Sequence, residues 1–185
     1  SLFILELPPY RRPQVGTVLV RSFLDRTLSV LIRAVLIAAP CGLITWFLAN
    51  ISVSGQTLFT HFSLWLEPLG KAMGLDGVIL LAFILGLPAN EIVLPIIFMG
   101  YLSQGTLIEV QGLQAIRDIL TANGWTWLTA LNFLLFAIFH WPCGTTLLTI
   151  KKETGSFKWT ILAALLPTSL GVVLCLFVAK IASIL

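Results

Sequence analysis

Two interruptions in apolar sequence hold the residues able to do chemistry. The first lies in Asp76–Gln104, DGVILLAFILGLPANEIVLPIIFMGYLSQ, where Gly86, Pro88, Asn90, Glu91 and Pro95 fall within ten residues. The second is His140-Trp-Pro-Cys-Gly-Thr-Thr146. A carboxylate deep in lipid costs about 2.5–3.5 kcal/mol on insertion scales, so Glu91 needs compensation. A proline inside a helix frees the carbonyl four residues earlier. Pro88, Pro95 and Pro142 would thus free the carbonyls of Ile84, Glu91 and Ile138. Free carbonyls persist at membrane depth only where protein buries them or where they line a wet cavity, and transporters use them to hold cations. Glu91 then either lines a cation path or is satisfied by the dipole of the following helix or a buried Lys or Arg. Asn90 serves equally as turn residue or ligand.

At the second interruption Cys143 follows Pro142 at the start of a resumed helix, a position that favours a thiolate. His140 and Cys143 are three residues apart and share a face if the segment is helical. Thiolate, imidazole and carboxylate suit Fe(II), Zn(II) or Mn(II) to different degrees. A single H-x-x-C is a weak pattern, so Cys143, Glu91 and His140 are expected at most as transient ligands. Thr145 and Thr146 are placed to satisfy freed backbone groups.

The elements carrying these residues are membrane elements. Of 185 residues 58% are hydrophobic and 10% charged, with a mean hydropathy of +1.00; soluble domains carry about 25% charged residues. The ~10-residue alternating segments of a β-barrel do not occur. The fold class is therefore all-α: a polytopic helical membrane protein with broken or re-entrant helices and interfacial amphipathic helices. A net charge of +3 does not suggest nucleic acid as a partner. Cys41, Cys143 and Cys175 fit neither a disulfide framework nor a zinc knuckle, and Cys41 and Cys175 read as packing residues. No phosphate-binding, zinc-protease, serine-hydrolase or EF-hand motif is present, so no enzyme activity is expected.

Four units follow along the chain. Residues 1–33 hold the tail of an apolar segment ended by Leu7-Pro8-Pro9, without signal-peptide features or an initiator Met, as in a piece of a longer protein. An amphipathic helix over Val15–Arg33 follows, where Arg21 and Asp25 can pair; with Arg11 and Arg12 it is expected on the cytoplasmic face. Residues 34–75 hold a span over Ala34–Ile51 and an interfacial segment with a solvated His61. Residues 76–124 hold the first interruption and an amphipathic segment over Leu107–Asn123. Residues 125–185 hold an apolar run broken at Pro142-Cys143, a basic loop over Lys151–Lys158, and a span over Trp159–Ile184. Basic clusters favour the cytoplasm. The arginines before Ala34 and the lysines at 151, 152 and 158 fall on one side only if Asp76–Gln104 enters and leaves on the other. A hairpin with arms of ten to fourteen residues, each about 15–20 Å long, is expected.

The segments LELPPYR (Leu5–Arg11), LPANEIVLP (Leu87–Pro95) and WPCGTTLLTIKKETGSFKWT (Trp141–Thr160) closely resemble, in this order, the C-terminal membrane half of the FeoB family of prokaryotic ferrous iron transporters. The resemblance implies Fe2+ uptake across the bacterial cytoplasmic membrane through a gate of two related modules. Cys143 matches the cysteine of the second gate, and Asn90, Glu91, Pro142 and Thr145 accompany it along the path. Fe2+ would be cargo, and no stably bound cofactor is implied. The implied partners are the lipid bilayer and the first gate module and cytoplasmic G domain of the same protein, which these residues do not supply; a homo-oligomer is open. The alternatives are a non-transporting membrane scaffold or oligomerisation module, and a gate-type nucleoside carrier.

Overall fold

The computed structural model describes residues 15–53 and 55–183. The LELPPYR motif and Arg11 and Arg12 lie outside the described residues, and the Arg21–Asp25 pairing rests on a side chain that also lies outside them. From Val15 the chain is helical without a break: α1 (Val15–Ser22), one wide π turn (Phe23–Thr27) and α2 (Leu28–Asn50). The expected amphipathic helix and first span are thus one rod, and Pro40 sits within it. A two-residue hairpin of β1 (Ser52–Val53) and β2 (Gln56–Thr57) leads into α3 (Leu58–Ala72). His61 is exposed there, with Nε2 3.1 Å from the Val53 carbonyl oxygen.

The interfacial segment and the first interruption are coupled. Helix α3 runs into α4 (Gly77–Leu85) across a bend of 110°. Asp76 caps α4, its Oδ1 accepting from the Ile79 N–H at 2.7 Å. Gly74, at φ +69°, makes the corner, and a Cβ there would lie 2.5 Å from Asn132 Nδ2. After the break come a 3-10 turn (Asn90–Ile92) and α5 (Val93–Tyr101). The two arms are antiparallel. A Cβ on Gly100, near the end of α5, would meet Val78 at the start of α4 at 2.9 Å, and one on Gly86 would meet Val93 at 2.5 Å. The expected hairpin of two short arms is therefore formed. Each nine-residue arm is about 13 Å long, less than half of a ~30 Å hydrocarbon core.

The hairpin is also the centre of the molecule. Ile79, Leu81, Ala82, Phe83, Ile96, Ile97 and Met99 are buried, whereas α2 and α9 (Phe157–Ala182) expose most of their apolar surface. Apolar side chains all round α4 suit a helix enclosed by protein. Exposed Leu, Ile and Phe along α2 and α9 suit lipid.

Beyond the hairpin come α6 (Leu113–Ala122), with no buried residue, α7 (Trp127–Phe139) and α8 (Gly144–Thr154). Lys151 and Lys152 form the last turn of α8. The expected basic loop is thus a helix end plus a turn at Gly155-Ser156, where Gly155 takes the left-handed conformation at φ +61°. Helix α9 returns along α7. Cys175 Sγ lies 3.5 Å from the Asn132 carbonyl, and a Cβ on Gly171 would meet Phe139 at 2.9 Å. Among the described residues three stretches are long and apolar enough to cross a membrane, Leu28–Asn50, Trp127–Thr154 and Phe157–Ala182, and the bent pair α3–α4 would make a fourth if counted as one span. The molecule is an all-α, polytopic membrane protein.

Candidate functional site at the meeting of two broken helices

The hairpin tip and the α7–α8 break meet. The Gly144 N–H donates to the Leu87 carbonyl at 2.8 Å. His140 Nε2 lies 3.1 Å from Asn90 Oδ1, and His140 Nδ1 lies 2.9 Å from the Ala137 carbonyl oxygen. A carbonyl only accepts, so Nδ1 carries a proton. A neutral ring then accepts at Nε2 from the Asn90 amide NH2, whereas an imidazolium donates to its oxygen. Gly144 is buried, and a Cβ there would lie 2.9 Å from Ile37 Cγ2 and 3.0 Å from Leu87 Cδ2. Ile37 is in the interior of α2, so the two breaks meet well inside the span.

Proline and glycine explain why the chain opens here. Helix α4 ends at Leu85, and Pro88 cannot donate to a continued ladder. Helix α7 ends at Phe139, and His140 and Cys143 have extended backbone around Pro142. This corrects the expectation that His140 and Cys143 share a helical face, because the helical spacing is lost between them. His140 turns to Asn90, whereas Cys143 Sγ lies 3.1 Å from the hydroxyls of both Thr145 and Thr146. Those two threonines hold the thiol rather than a freed carbonyl. Pro95 breaks nothing either. As third residue of α5 it occupies a first-turn position whose N–H would lack an intrahelical partner. The break carbonyl with a partner across the junction is that of Leu87.

Asn90 and Glu91 are exposed at the tip, and among the described residues no side chain pairs with Glu91. It sits in the first helical turn, where the helix dipole favours an anion. Cys143 is half-buried at the start of α8. The C-terminal ends of α4 and α7, with their negative dipole ends, also point to this junction. Among the described residues no three His, Cys, Asp or Glu side chains group as a metal site. The junction offers one carboxylate, one thiol, one imidazole and helix-end dipoles, arranged singly.

Residues far apart in sequence brace the hairpin at its base. The Tyr101 hydroxyl donates to Asp76 Oδ2, and Trp125 Nε1 donates to the Tyr101 oxygen at 2.7 Å. Glu67 Oε2 accepts from the Gly77 N–H at 2.8 Å. Asn132, fully buried, donates through Nδ2 to the Met73 carbonyl at 2.8 Å. These contacts join residues that no single local motif links. An Asp directly before the apolar run 77–85 is an N-cap signal that was available for Asp76.

The family model for Gate, described as nucleoside recognition, matches residues 31–157. The chain belongs to the Gate family. Curated relatives of this Gate chain include the Fe(2+) transporter FeoB of Staphylococcus aureus (strain MSSA476), 29% identical over 90% of this chain and 25% of the relative. That of Leptospira biflexa serovar Patoc is 26% identical over all of this chain and 29% of the relative. That of Methanocaldococcus jannaschii is 28% identical over all of this chain and 28% of the relative. The Gate chain thus spans about a quarter of the length of the curated relatives it matches. These matches bear out the FeoB resemblance drawn from the three motifs. No solved structure matches it.

Proposed function

We propose that this chain forms the second gate of a ferrous iron pathway in the bacterial cytoplasmic membrane. The observation that carries the reading is the meeting of the two broken helices through Leu87–Gly144 and Asn90–His140. Fe2+ sheds part of its hydration shell on the side of the hairpin base. At the tip it meets Glu91, Asn90 and the carbonyl-bearing helix ends, then passes Cys143, whose position Thr145 and Pro142 fix. His140 and Cys143 act as successive ligands rather than a joint pair. Separate, weak ligands suit transport, because a closed cage would trap the ion. Fe2+ is cargo, with no stably bound cofactor. The first gate module and the G domain of the full-length transporter supply the rest of the path and its nucleotide control.

The test is ferrous iron uptake in cells carrying the complete transporter, comparing Cys143→Ser and Glu91→Gln at matched membrane levels. The expected outcome is loss of most uptake in both. Full uptake in both removes these residues from the path. The family description favours a second reading, passage of a nucleoside. Radiolabelled nucleoside uptake that falls in the same variants while iron uptake is unchanged would establish it instead.

A further inference from the structure

The turn joining α8 to α9 gathers Lys151, Lys152 and Lys158 around a single acid, Glu153, beside two exposed aromatic rings. Lys151 Nζ lies 5.5 Å from the centre of the Phe157 ring. Trp159 is 60% exposed. From this basic and aromatic rim a shallow depression, formed by α9 side chains alone, runs down the exposed face of that helix. Its upper part is lined by Lys158, Trp159, Leu162 and Leu165, and its lower part continues past Ser169 to Val173. Residues 158–173 span about 22 Å along the helix, on the scale of one leaflet with its interface.

The groove carries charge only at its rim. The two hydroxyls lower down are satisfied within α9, Thr168 Oγ1 donating to the Ala164 carbonyl at 2.7 Å and Ser169 Oγ to that of Leu166 at 2.9 Å. With both protons committed, this surface offers a partner helix no hydrogen-bond donor, whereas an acyl chain needs none. Basic residues on the cytoplasmic side bind anionic head groups. Trp and a lysine with an apolar stem sit at the headgroup boundary.

We propose that this groove binds one anionic glycerophospholipid, with its phosphate at Lys158 and the neighbouring lysines and an acyl chain along residues 162–173. The lipid fixes the α8–α9 turn at the cytoplasmic interface. This reading does not depend on which solute the protein carries.

Native mass spectrometry of the protein released from detergent tests it, with phosphatidylglycerol and phosphatidylcholine of identical chains titrated in turn. One phosphatidylglycerol adduct is expected where phosphatidylcholine gives none. Lys158→Ala should weaken it roughly fivefold. Leu165→Trp keeps every charge but fills the groove, at a position 61% exposed and so open to a larger side chain. It should also lose the adduct, and Val173→Trp, farther along the same groove, should repeat the result. Equal retention of both lipids overturns the proposal. So do undiminished adducts in both groove-filling variants, which reduce the effect to diffuse charge, and a dimer that excludes lipid, which assigns the face to a second copy.

Discussion

Gly144 is where residue chemistry and junction geometry coincide. Its N–H reaches the Leu87 carbonyl at 2.8 Å because no Cβ separates α8 from Ile37 and the hairpin tip. Gly144→Ala inserts a methyl 2.9 Å from Ile37 Cγ2 and 3.0 Å from Leu87 Cδ2. Overpacking of this kind costs about 1–3 kcal/mol. The expected outcome is a lower thermal midpoint in detergent. Gly42→Ala is the matched control, since its Cβ would meet nothing within 4 Å in the interior of α2. If Gly144→Ala unfolds at the temperature of Gly42→Ala, the tip does not pack as tightly as described. The neighbouring Cys143 is oriented by two hydroxyls at 3.1 Å, a local arrangement made possible because Thr145 and Thr146 follow it directly.

At the scale of elements, the hairpin keeps its depth through its base. Tyr101→Phe removes both the donor to Asp76 and the acceptor of Trp125 Nε1, leaving two polar groups short of a partner. Such a loss costs about 1–3 kcal/mol. Hydrogen exchange should accelerate over 77–85 and 93–101, while exchange in α2 stays as it was. Unchanged exchange in both arms would discard the clamp. The hairpin itself was legible in the sequence because its signals are local: Pro88 and Glu91 in an apolar run, and basic clusters that demand an even return. The clamp was not, because Asp76, Tyr101 and Trp125 are distant in sequence and only the folded arms bring them together. The shared face of His140 and Cys143 depended on the segment being helical, and it does not form, for the opposite reason. Helical spacing was carried across Pro142, which abolishes it. The contact that replaces it, His140 with Asn90, joins residues fifty positions apart, and no local pattern announces that.

For the whole molecule, the decisive quantity is the number of crossings. Asn50 Nδ2 donates to the Gly105 carbonyl at 2.8 Å, which places the end of α2 beside the hairpin exit. Trp125, at the entry to α7, is tied to Tyr101 at that same end. A Cβ on Gly74 would lie 3.4 Å from Ala179 Cβ near the end of α9. One end of the molecule therefore gathers Asn50, Gly74, Tyr101, Gly105, Trp125 and Ala179, and the opposite end carries the lysines of the α8–α9 turn. The positive-inside rule assigns the lysine end to the cytoplasm. Single cysteines placed at Gln104, Asn123 and Glu153, all exposed, report this arrangement in a chain with its three native cysteines replaced. A membrane-impermeant maleimide added to intact cells should label positions 104 and 123 and leave 153 untouched until the membrane is opened. Were the 76–104 element a full crossing, position 153 would be labelled from outside and 104 and 123 would be protected. That pattern would also require α4 and α5 to run on in one direction across the bilayer, against the antiparallel packing that sets Gly100 beside Val78 and Gly86 beside Val93.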